Sequence, residues 1–187
     1  MRKALIIGLA VASFGANAAE FNPYVNGHIG VTNNDNVFYS GTYATSTDDT
    51  GLGVSVGALT ETAPQVQAGF EGSINYLGSA NIRKRSGSNV FYDTVNNYAY
   101  DAAGVMKLDL NPAFYVIGKA GLSLQVMDDA NFGGTNTDIV PLLAAGFGVN
   151  LNQQTSVNLI ATKYFGDNGT GDTGEITSLM AGIQYRF

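Results

Sequence analysis

The chain has no cysteine and no tryptophan, a single histidine, four prolines, and nine lysines and arginines against fifteen acids. Without cysteine there is neither a disulfide framework nor a lipoprotein anchor, so the fold must stand on packing and hydrogen bonds. The shortage of basic residues argues against a nucleic acid partner, because phosphate needs lysine and arginine opposite it. Charged residues make up only 13% of the sequence, about half the usual proportion. So little charge suits a membrane protein, yet no internal run reaches the ~18 apolar residues that a spanning helix requires. A chain that enters lipid without such helices must satisfy its backbone between strands and close the sheet on itself.

Glycine (24), tyrosine (10) and phenylalanine (10) are plentiful, and 45% of the 187 residues are hydrophobic. That length is one domain's worth. Arg2 and Lys3 precede an apolar stretch from Ala4 to Phe14, and Ala16-Asn17-Ala18 fits a small-residue cleavage site. Residues 1–18 therefore read as a secretory signal peptide, leaving residues 19–187 as one barrel domain. Cleavage would remove two positive charges and no acid, taking the formal net charge from −6 to −8.

From there the pattern has period two, which points to strands. Eight alternating segments are expected: Phe21–Thr32, Gly51–Leu59, Val66–Tyr76, Tyr98–Leu110, Phe114–Met127, Ile139–Leu151, Ser156–Phe165 and Glu175–Phe187. Long polar connections (33–49, 79–97, 128–138, 166–174) alternate with short turns at Thr60–Pro64, Asn111-Pro112 and Asn152–Thr155. This rotation describes an all-β fold, an eight-stranded antiparallel up-and-down transmembrane barrel with short turns inside the cell envelope and long loops outside. Lys163 falls on the apolar face of its segment and calls for a bulge or a position at the aqueous rim.

Periodicity alone does not say which face points inward, and a soluble lipocalin-like barrel would bury the apolar face. Three features favour the membrane sense. The polar face is rich in small residues (Gly53, Ser55, Gly57, Gly69, Ser73, Ala103, Gly121, Gly146, Gly148), as suits the filled lumen of a narrow barrel. Aromatics sit near segment ends (Tyr24, Tyr76, Tyr98, Tyr100, Phe114, Phe165, Tyr185, Phe187), where two interfacial girdles belong. In the last segment Leu179, Ala181, Ile183, Tyr185 and Phe187 alternate with Met180, Gly182, Gln184 and Arg186. That ending resembles the signal read by the barrel-assembly machinery of Gram-negative outer membranes, and an apolar edge strand does need a chaperone and then a partner strand.

The run Ala68-Gly69-Phe70-Glu71-Gly72-Ser73-Ile74-Asn75-Tyr76-Leu77-Gly78 resembles the third strand of the OmpA transmembrane domain, and Gly104 to Pro112 its fourth strand and turn. In build the chain is similar to the barrel-only OmpX and Opa types, so no cell-wall anchor is expected. The resemblance implies residence in the outer membrane and an ion-pair network in the lumen. Glu71 and Lys107 match inward positions, and Lys119 and Arg186 are further candidates to pair with Glu71, Asp101 or Asp109. Where a second arginine pair would need its cation, this chain has Ile160. A polar plug in a packed lumen is the expectation, not an open pore.

Three other places could carry chemistry. Arg83-Lys84-Arg85 is the only basic cluster beyond the signal segment and would lie near the outer leaflet, where lipopolysaccharide phosphates could be clamped. Asp167 to Asp172 looks like a calcium loop but lacks the spaced acids of an EF-hand, and an Asn-Gly hairpin tip explains it equally well. His28 faces inward without a recognisable serine–acid set, so a lumen-filling role is expected over catalysis. No cofactor, metal or enzymatic activity is expected. The outward loops, with Phe38, Tyr39, Tyr43, Phe91 and Tyr92 among small polar residues, have the makeup of adaptable binding surfaces. The expected role is structural or surface-interactive: envelope integrity, adhesion or contact with a host or surface ligand. A narrow passive channel is the alternative, and a lipid A-modifying enzyme a weaker one.

Overall fold

The computed structural model describes residues 21–34, 42–46, 48–86, 89–129, 135–166 and 174–187. The strands in chain order are β1 (Asn22–Asn33), β2 (Thr42–Ser46), β3 (Asp48–Ala63), β4 (Val66–Ser86) and β5 (Asn89–Asp109). They continue with β6 (Phe114–Asp129), β7 (Thr135–Asn150), β8 (Thr155–Tyr164) and β9 (Ile176–Arg186). Every pairing is antiparallel, and β1 joins β3 on one side and β9 on the other, so the sheet closes on itself. Eight strands form the ring. β2 stands outside it, paired to the distal part of β4.

The faces follow from solvent. Ile29, Leu143 and Ile183 are each more than half exposed on the outer surface, and Phe187 is 72% exposed. Lumen positions between them are buried, with strict alternation along β9. A soluble barrel would do the reverse, so the outer surface is one that only hydrocarbon satisfies. Phe21, Phe70, Phe114, Tyr185 and Phe187 lie toward the short-turn end, while Tyr76 and Tyr98 stack 5.4 Å apart toward the other.

Two short turns share one design. Asn111 Oδ1 accepts hydrogen bonds from the amides of Ala113 and Phe114 at 2.8 and 2.9 Å, and Asn152 Oδ1 does the same for Gln154 and Thr155. Such side-chain acceptors replace a backbone turn bond and explain why Leu-Asn opens both turns. The third turn is tighter than expected: β3 runs through to Ala63, leaving only Pro64 and Gln65, the latter at φ 69°.

Several expectations need correction. The polar stretch 79–97 is not a loop, because β4 continues to Ser86 and pairs with β5 from Asn89 onward. At 21 residues each, these strands are about twice the length that crosses a bilayer. The stretch 33–49 likewise contains β2 and the start of β3. Tyr24 is not a girdle residue: it is 3% exposed and turned into the lumen. Nor is the lumen filled mainly by small residues. One apolar cluster (Tyr24, Leu59, Val105, Tyr115, Ile117, Ala144, Ile160) fills the short-turn half, and a second (Leu77, Ala99, Val140, Leu142, Tyr164, Ile176, Met180) fills the other. The glycines are where the large side chains fit: a Cβ on Gly57 or Gly148 would strike the rings of Tyr24 and Tyr115. Lys163, by contrast, takes the rim position that was the alternative to a bulge. It sits in regular register at the end of β8, bonded to Glu175 at 2.7 Å.

Candidate functional site

Charged side chains occupy the lumen where register leaves room for them. Glu71 on β4 stands opposite Ala103 on β5, which stands opposite Gly121 on β6. With only small residues between, the Glu71 carboxylate reaches Lys119 on β6, Oε1 to Nζ at 2.5 Å. Its other oxygen accepts the Tyr24 hydroxyl at 2.8 Å. Both carboxylate oxygens are thus occupied, which is the condition for holding a charge out of water.

Glu71 does not pair with Lys107. Lys107, buried to 2% exposure, pairs along its own strand with Asp109 at 2.9 Å and lies 4.3 Å from the centre of the Tyr115 ring. Gln67 donates to the same carboxylate at 2.9 Å. Arg186 lines the same short-turn mouth, but its guanidinium has no acceptor among the described residues. Asp101 is held by neutral groups, with Oδ2 accepting from Asn75 (2.7 Å), Ser73 (2.9 Å) and the Tyr164 hydroxyl (3.1 Å). Ile160 belongs to the apolar cluster of the short-turn half, so an apolar side chain stands where a cation would otherwise be.

His28 donates through Nε2 to Asn75 Oδ1 at 2.6 Å, and Asn75 in turn donates to Ser73 at 3.0 Å. This places histidine, serine and Asp101 in one chain of hydrogen bonds, an arrangement the sequence did not disclose. The cavity beside them is about 40 Å³, room for about three waters and not for an acyl chain. Side chains of both apolar clusters line it, so it is a polar chamber set between two apolar layers.

At the long-loop mouth, Leu77 is fully buried and caps the upper cluster. The chain turns it inward by a register shift between Tyr76 and Ser79, with Gly78 at φ +82°. Asp49 pins this bulge, its Oδ2 accepting from the Ser79 amide (2.6 Å) and hydroxyl (2.8 Å). A Cβ on Gly78 would collide with Asp49, so glycine is required on both conformational and steric grounds. Thr32 secures the other side by donating to the Leu77 carbonyl at 2.7 Å. Asp49 lies beyond Leu52, outside the apolar band, and the Ser79 amide and hydroxyl, then the Thr50 amide, hold its carboxyl below the usual 3.8. A depressed folded value means the contribution is complete above the unfolded pKa and disappears as pH falls through the folded one. Protection of the Ser79 amide against hydrogen exchange, relative to an unstructured amide at the same pH, should therefore fall below about pH 4 in the native protein. In Asp49→Asn it should be low already at neutral pH, and unchanged protection there would remove Asp49 as the anchor.

Arg83, Lys84 and Arg85 lie on the distal part of β4, opposite Tyr92, Phe91 and Val90 of β5 in register. Arg83 is seven residues past Tyr76, about 23 Å along the strand, so the cluster stands above the interface and not at it. Leu179, Ala181, Ile183, Tyr185 and Phe187 share the outer face of β9, which is paired on both sides. The signal segment and Asp167–Asp172 lie outside the described residues.

A closed eight-stranded barrel with a lipid-compatible exterior and a plugged lumen defines a small integral outer-membrane barrel. The family model for the outer membrane protein beta-barrel domain matches residues 4–187, and the chain belongs to that family. No curated protein sequence matches it significantly. Among solved structures, the Neisserial surface protein A aligns with a TM-score of 0.57 at 12% identity over 88% of this chain and 97% of that one. OprG of Pseudomonas aeruginosa aligns at 0.53 and 14% identity, over 92% and 98%. Ail, the attachment invasion locus protein of Yersinia pestis, solved with the heparin analogue sucrose octasulfate, aligns at 0.52 and 12% identity, over 89% and 98%. At these identities the likeness is one of fold.

Proposed function

We propose that the protein works through its extracellular sheet, as a surface-interaction module carried on a stable barrel. The observation behind this reading is the continuation of β4 and β5 beyond the lipid band, joined there by β2, into a three-stranded sheet bearing Arg83, Lys84 and Arg85. The lumen beneath it is filled at three levels, which favours a surface role over passage through the barrel. A basic run on the central strand of an otherwise acidic protein suits an anionic glycan, since arginine clamps phosphate or sulfate with paired hydrogen bonds. Bound sucrose octasulfate in Ail is a precedent for sulfated ligands on this fold. Lipopolysaccharide, which is phosphorylated, meets the same description. Assembly machinery reading β9, and export by a cleaved signal peptide, complete the reading.

The test replaces Arg83, Lys84 and Arg85 together with glutamine. Thermal stability in lipopolysaccharide-containing bilayers should fall toward its value in plain phospholipid, and binding of cells displaying the protein to a sulfated glycan should drop about tenfold or more. Unchanged stability and unchanged binding would refute the assignment.

A further inference from the structure

The short-turn mouth of the barrel, opposite the proposed surface-interaction sheet, is a cup of about 590 Å³. That falls within the range of small-molecule sites. All three short turns contribute to its wall, through Gln65, Asn111 and Asn152. Its charged lining comprises Lys107, Arg186 and Asp109, two cations against one anion. Asp109 is already engaged by Lys107 and Gln67, so the Arg186 guanidinium is the uncompensated charge.

Its amide side chains offer both donors and acceptors, and the Gln67 carbonyl oxygen, buried there, has no hydrogen-bond partner among the described residues. The side-chain carbonyls of Asn111 and Asn152 are consumed by two turn amides each, which leaves their NH2 groups without an acceptor among the described residues. Gln153 adds a further amide. A guanidinium fork flanked by primary amides, with one positive charge in excess, is complementary to a monoanion having two in-plane oxygens. A phosphate monoester, at −1.5 to −2, would overcompensate it. The amide wall in turn matches the N–H and C=O groups of a peptide.

We propose that this cup binds the α-carboxylate end of a short peptide on the periplasmic side, with Arg186 as the carboxylate clamp and the turn asparagines as flanking donors. The site is independent of the extracellular sheet, because the two lie at opposite ends of a plugged lumen.

The experiment titrates the barrel, in phospholipid nanodiscs that leave both mouths open, with N-acetyl-trialanine as free acid, with its C-terminal amide, and with inorganic phosphate. Binding is followed by calorimetry and by the Arg186 Nε–H resonance. The free acid should bind at one site, shift that resonance, and bind about tenfold more tightly than the amide. Arg186→Gln should weaken it by a similar factor, while Lys163→Gln at the far rim should leave it unchanged. Gln153→Ala, in an exposed turn, serves as a second variant and should weaken binding several-fold. Retention of the folded, fast-migrating form on unheated gels confirms that each variant is a barrel. Equal binding of acid and amide, absence of binding, or undiminished binding by folded Arg186→Gln would overturn the proposal. So would phosphate displacing the peptide at equal concentration.

Discussion

Glu71→Ala will destabilise the barrel by about 3–5 kcal/mol, because it leaves Lys119 as a buried cation with no counter-charge. The same change strips the Tyr24 hydroxyl of its acceptor. Equilibrium unfolding by urea in lipid vesicles measures the loss. Lys119→Met should cost a similar amount, now stranding the carboxylate. The double variant Glu71→Leu with Lys119→Met should recover most of it, since an apolar pair of matching volume avoids both desolvation penalties. If the single variants are near neutral, water in the adjoining chamber is solvating the charges and the pair is not what plugs the lumen. The polar chamber of about 40 Å³ makes that outcome measurable, because it adjoins both Glu71 and Lys119.

Gly148→Val will cost about 3 kcal/mol through steric conflict with Tyr115. A Cβ at Gly148 would stand 2.2 Å from the Tyr115 ring, and that ring is 1% exposed, so it cannot step aside into solvent. It also carries the Lys107 ammonium 4.3 Å from its centre, so displacing it disturbs the Lys107–Asp109 pair as well. Tyr115→Leu alone should lose stability by leaving a cavity, and combined with Gly148→Val it should lose less than the two effects added. Strict additivity in that cycle would mean that the glycine and the ring do not share one space.

Much of the fold was legible because lipid imposes a simple rule on alternate residues. Ile183, Tyr185 and Phe187 face outward and Gln184 faces inward whatever else the strand does. That rule ends where the lipid ends. The distal part of β4 carries Ser79, Asn81 and the run Arg83-Lys84-Arg85, and that of β5 breaks alternation with Val90-Phe91-Tyr92, so in sequence they look like loop although they pair residue by residue. Tyr24 was misplaced because its position near a segment end suggested the interface, whereas its parity with Asn26 and His28 already pointed inward. The ion-pair partners lay beyond reach for another reason. Which cation meets Glu71 depends on the stagger of β4, β5 and β6, and alternation gives a face without a height. Only the small residues at Ala103 and Gly121 hinted that Glu71 could reach across to β6.

The seam between β1 and β9 ties the first strand of the ring to the last, Tyr24 opposite Arg186, across nearly the whole length of the chain. Closure is therefore the most expensive contact in loop entropy and the one without which β1 and β9 each keep an open edge. Folding has no halfway station of worth: a ring lacking its final strand offers bare backbone to hydrocarbon, so insertion and completion must coincide. High contact order of this kind predicts slow, single-step assembly, in which a lesion at either end of the chain is felt by all eight strands.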